Sequence, residues 1–180
     1  PEVALEDGRA TLLLPSGETS ESSYSAVSVK RDGVWLLESV RETVLPAPPV
    51  AADYLDPLAF LEGEWVDQTD TATVHSVYRW SANQAFLTQT YSVVIDGLLD
   101  MQGTQIIGWD PEQQGIRSWL FDSDGGFGEG RWEFDGDHWK IHLTSTLPDG
   151  RKASAVNILR PIDVDTIAWK STARQVSGEL

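Results

Sequence analysis

Three histidines, a cluster of acids around paired glycines and eight tryptophans are the residues of this chain equipped to bind or react. His138 and His142 stand four apart, so on a strand they share a face. With a carboxylate such as Asp137 they offer the donors that a zinc or haem site uses. Four residues along a strand nevertheless span about 13 Å, too far for two rings to reach one ion without a bulge. Beside an Asp-Gly-Asp turn, His138 reads better as a surface or hydrogen-bonded histidine, like His75. Asp122-Ser123-Asp124-Gly125-Gly126, with Glu129 and Glu133, carries the donors of a calcium loop. Counted from Asp122, however, the position that must be glycine in an EF-hand is Phe127, and Asp and Gly are the residues a hairpin turn requires. No metal or other cofactor is expected.

Covalent chemistry is poorly provided for. There is no cysteine, no Gly-x-Ser-x-Gly elbow, no glycine-rich phosphate loop before a helix and no recognisable serine triad. The chain shows no catalytic constellation and leans away from enzyme activity. The tryptophans remain. Trp65, Trp80, Trp109 and Trp119 either line a cavity for a hydrophobic ligand or fill a barrel solidly. Met101, Gly103 and Gln105 alternate toward one face of a strand, and glycine in a strand interior marks a bend or a close approach. Trp80, Tyr91, Met101, Gly103, Gln105 and Trp119 are therefore the expected ligand-binding residues.

The elements that must carry them are strands. From Gly108 to Leu147, β-type segments alternate apolar and polar residues between Asp-Pro, Asp-Gly-Gly and Asp-Gly-Asp turns, the pattern of an antiparallel meander. Eight or nine strands are expected after residue 54, at barrel-like spacing. Upstream, Arg9–Leu14, Thr19–Lys30 and Val34–Val40 read as a three-stranded meander, with Asp32-Gly33 as a tight hairpin and Trp35, Leu37, Val27 and Val29 on one apolar face. Three prolines in Leu45-Pro46-Ala47-Pro48-Pro49-Val50 mark a linker over residues 46–53. Asp56-Pro57 then suits the start of a short helix and Gly63 its stop, with Leu58 and Leu61 buried and Trp65 closing the barrel base.

The formal charge of −15 argues against nucleic acid and anionic membrane partners, and describes a soluble acidic protein. No apolar run is long enough to span a membrane, so membrane insertion is not expected. No signal peptide is visible. The chain begins at Pro1 inside a strand pattern, so an upstream continuation is expected. Freedom from cysteine suits cytosol and exterior alike; the compartment is open, with a lean toward a secreted or periplasmic protein.

Two stretches resemble known families. Leu61-Glu62-Gly63-Glu64-Trp65 after a short helix resembles the entry of lipocalin-like barrels. Gly103–Pro111 and Ser118–Gly126 resemble a group of bacterial lipocalin-like domains of unknown function, a likeness covering about Tyr54 to Leu180. Residues 1–45, through Tyr24–Leu37, are similar to the last strands of SnoaL-like domains of the SgcJ/EcaC type, although the helices and first strands that form most of that pocket are absent. The resemblance implies an all-β chain: a three-stranded remnant of a SnoaL-like α+β domain (1–45), the linker, and a lipocalin-like antiparallel barrel (54–180). The expected function is non-enzymatic binding of a small apolar or amphipathic ligand in the barrel. Two alternatives stand beside it: an accessory fragment of a SnoaL-like isomerase or cyclase whose active site lies upstream, and a protein-interaction module without a small ligand. Copies of the chain would associate through the N-terminal strands.

Overall fold

A computed structural model describes residues 2–17 and 19–177. The chain is all-β, 70% strand and 6% helix, and divides into two compact units, Pro1–Pro48 and Pro49–Leu180.

The first unit is an antiparallel sheet of β1 (Glu2–Leu13), β2 (Thr19–Arg31) and β3 (Val34–Val44), in sequence order. β1 starts seven residues earlier than the sequence suggests, because Gly8 does not interrupt it. The Tyr24 ring lies across Gly8 from the neighbouring strand and donates from its hydroxyl to Glu6 (2.7 Å). Asp32 and Gly33 both hold positive φ, as a two-residue type I′ hairpin requires. That turn pairs Arg31 with Val34 and Lys30 with Trp35. Directly paired residues share a face, so Val27 and Val29 lie opposite to Trp35 and Leu37 rather than beside them, which corrects the single apolar face expected above. Among the described residues of this unit only Ser22 is buried, and Leu5, Trp35, Leu36 and Leu37 are all exposed. A three-stranded sheet with no packed face lacks the burial that offsets chain entropy. A peptide of residues 1–48 is therefore expected to show collapsed amide dispersion in NMR, or to aggregate; sharp, dispersed signals would contradict this.

The second unit begins with α1 (Ala51–Leu55) and a 3₁₀ turn (Asp56–Leu61). The helix thus starts inside the stretch read as linker. Its cap is Val50, whose backbone N–H donates to Asp53 (2.7 Å), and Asp56 makes no side-chain cap. Nine strands follow as a meander paired strictly with sequence neighbours: β4 (Gly63–Gln68), β5 (Ala72–Trp80), β6 (Phe86–Ile95), β7 (Leu98–Asp110), β8 (Gly115–Asp122), β9 (Phe127–Asp135), β10 (His138–Thr146), β11 (Lys152–Asp163) and β12 (Thr166–Val176). The sheet curls into a half-barrel whose edge strands are β4 and β12, and among the described residues no ladder joins them as a full barrel would require.

Alternation assigns every strand residue a face. Leu87, Ile107, Ile116, Trp132, Ile141, Trp139 and Leu159 fall on one face and pack with Leu55, Leu58 and Leu61, each at most 1% exposed, into a single core. We call this the core face and its reverse the outer face. Trp65 is partly buried against the core and donates from its indole N–H to the Leu61 carbonyl (2.8 Å), tying β4 to the 3₁₀ turn. Tyr54 stacks on Trp109 with ring centroids 3.9 Å apart.

Candidate ligand-binding site

Five of the six expected site residues, Trp80, Tyr91, Met101, Gly103 and Gln105, lie on the core face. Trp119 does not. It pairs with Ile106 and Glu129 on the outer face, with the Arg117 guanidinium 5.5 Å from its ring centroid, because Ser118 takes the core-facing position beside Ile107. Ser118 is fully buried and accepts from Gln105 Nε2 (2.8 Å) and Trp132 Nε1 (3.0 Å). Gln89 Nε2 donates in turn to Ser76 (3.1 Å). These bonds satisfy polar groups inside an apolar core and fix its register.

The room expected over Gly103 is filled. Tyr91, directly opposite on β6, lays its ring across the glycine and hydrogen-bonds Asp122 on β8. A Cβ at residue 103 would clash with the Tyr91 hydroxyl oxygen. Burial first, then the Asp122 bond, pushes the Tyr91 hydroxyl well above the ordinary tyrosine range. Burial also raises the Asp122 carboxyl, helped by the Asp124 charge and opposed by the tyrosine bond. The pair is a structural brace across three strands. Gly103→Ala must swing the ring away and break that brace, at about 1–3 kcal/mol of overpacking. Urea denaturation should show this loss, and Tyr91→Ala in the same chain should recover part of it. An unchanged midpoint for Gly103→Ala would contradict the account.

Space for a ligand lies on the other side of the sheet. One depression of about 520 Å³ spans β5 to β8 and is lined by two complete outer-face rows, His75–Ser92–Gln102 and Val77–Thr90–Thr104–Phe121, over the backbone of Tyr91, Gly103 and Asp122. A second, of about 510 Å³, spans β9 to β12 and is lined by Phe127–Thr146–Lys152 and Glu129–Thr144–Ser154–Gln175. Phe121 and Phe127 face each other directly across β8 and β9, join the two depressions, and are 53% and 52% exposed. Tyr91 and Gly103 thus border the first depression, and Trp80, Met101 and Gln105 line neither. The outer-face phenylalanines and threonines were not anticipated. The signal was available: Phe121 and Phe127 are placed symmetrically about the Asp122–Gly126 turn, and alternation sends both away from Leu120 and Gly128.

The histidines sit apart. His138 Nδ1 meets Asp137 (2.9 Å) and His142 Nε2 meets Glu133 (3.2 Å), and among the described residues no three His, Asp or Glu side chains gather as metal ligands. No described helix is long and apolar enough to cross a membrane. The chain matches no family model and no curated protein.

Proposed function

We propose that the chain is a non-enzymatic binding protein, and that its amphipathic ligand lies on the outer face of the nine-stranded sheet, across Phe121 and Phe127. The observation that carries this reading is the pair of half-exposed phenylalanines between two depressions, on a face the core does not use. Solvent-facing strand positions do not need phenylalanine, and exposed apolar patches rimmed by polar groups mark interaction sites. Threonine hydroxyls and glutamine amides beside the rings supply the directional contacts of a ligand site. The lipocalin-like entry at Leu61–Trp65 supports binding as the function, with the ligand outside the curl. Equilibrium titration with 2-naphthol, a neutral ring bearing one hydroxyl, tests it. Binding should be saturable and should weaken in the Phe121→Ser/Phe127→Ser double variant. No saturable binding, or binding indifferent to both residues, would refute the reading.

A second reading, self-association through the N-terminal sheet, rests on one specific register. Among the described residues β1 pairs only with β2, leaving its other edge without a strand. Two β1 strands paired antiparallel about Gly8 would set Asp7 opposite Arg9 twice and Val3 opposite Leu13. Sedimentation equilibrium should then show a dimer that Asp7→Arg disrupts and Asp7→Arg/Arg9→Asp restores. A monomer at all concentrations would contradict it.

A further inference from the structure

We infer that the outer-face ligand is a linear, neutral oligosaccharide; this rests on the binding site proposed above and names its ligand class. The site is a row rather than a pocket. Thr90 pairs with Val77 and Thr104, Thr104 with Phe121, Phe121 with Phe127, Phe127 with Thr146 and Thr146 with Lys152, so one residue from each of seven consecutive strands, β5 to β11, stands in register across the sheet. At 4.7–4.9 Å between neighbouring strands, the row is about 29 Å long. Neither end of the row is a sheet edge, because β4 and β12 flank it, and α1 meets the core face instead, through Leu55 in the core and Tyr54 on Trp109.

Its chemistry combines the two kinds of contact a sugar chain offers. A pyranose presents C–H faces that stack on aromatic rings and a hydroxyl periphery that exchanges hydrogen bonds with neutral side chains. The centre of the row supplies two rings and its flanks supply threonine hydroxyls. The depressions extend to opposite sides of the row, toward Gln102 and Ser92 at one end and toward Ser154 and Gln175 at the other, so a bound chain would cross the strands on a slant. A compact lipid needs most of its surface enclosed, which this open face does not provide. The row itself contains no carboxylate and one ammonium, Lys152, whose Nζ donates to Thr146 (2.7 Å). A net charge of −15 around it opposes polyanions, so a neutral polymer is the one the charge admits.

The test is calorimetric titration of the whole chain with neutral hexasaccharides of glucose (β-1,4 and α-1,4), xylose and N-acetylglucosamine, and with a hexagalacturonate as the anionic control. At least one neutral hexamer should bind, at least tenfold more tightly than its own trimer, which spans only part of the row. Phe121→Ala and Phe127→Ala should each weaken it about tenfold, and Thr104→Val, which keeps shape and removes a hydroxyl, should weaken it severalfold. Both phenylalanines are half exposed, so far-UV circular dichroism should be unchanged in these variants. If 2-naphthol binding depends on Phe121 and Phe127 but no neutral hexamer binds, or the galacturonate binds best, the sugar assignment falls and the binding site stands. If neither probe responds to the phenylalanines, both fall.

Discussion

Trp132→Ala should cost the nine-stranded unit about 3–5 kcal/mol, the range for deleting a buried aromatic. Trp132 is 5% exposed and pairs on β9 with Ile116 on one side and Ile141 on the other. Its ring meets Trp139 edge-on, centroids 6.2 Å apart, and its indole N–H donates to buried Ser118. The substitution removes the middle of the core layer, between Ile116 and Ile141. Domains of this size have about 5–15 kcal/mol of stability, so about a fifth of the total or more would go. Urea denaturation should show a large fall in midpoint at constant slope. Trp132→Phe, which keeps the ring and loses the indole bond, should lie between. A loss under about 1 kcal/mol would mean that the core is not built around this residue.

The second large effect is functional. Replacing Phe121 and Phe127 together by serine should weaken ligand binding by about ten- to hundredfold, taking about 1 kcal/mol or more for each lost ring stack. The two rings are cross-strand neighbours, so their effects need not add. Stability should hardly change, because each ring is half exposed and neither belongs to the core. That separation distinguishes a binding surface from a structural one. Loss of fold in the double variant would assign the phenylalanines to packing instead.

Much of the fold was readable in the residue pattern. The Asp32-Gly33 pair adopts the positive φ that a two-residue hairpin demands, and the alternation of Met101, Gly103 and Gln105 toward one face holds along β7. What misled was size. Trp119 is large and apolar, which argues for an inward place, but alternation places small Ser118 inward, where it anchors two hydrogen bonds. Gly103 suggested an empty place, but a glycine on a strand leaves room for whatever stands opposite, and here that is Tyr91. The same device recurs at Gly8 under Tyr24, and at Gly108, where a Cβ would meet the Phe86 ring at 2.7 Å. Closure of the barrel was not legible, because it depends on whether β4 and β12 meet, a long-range pairing that no local pattern encodes.

The most direct test of the binding face is an amide-shift map of the whole chain titrated with 2-naphthol. The account predicts perturbations concentrated along Thr90, Thr104, Phe121, Phe127 and Thr146, with Gln89, Met101 and Gln105 little affected. Shifts centred on Gln89, Met101 and Gln105, with the outer row silent, would contradict it and return the ligand to the inside of the curl.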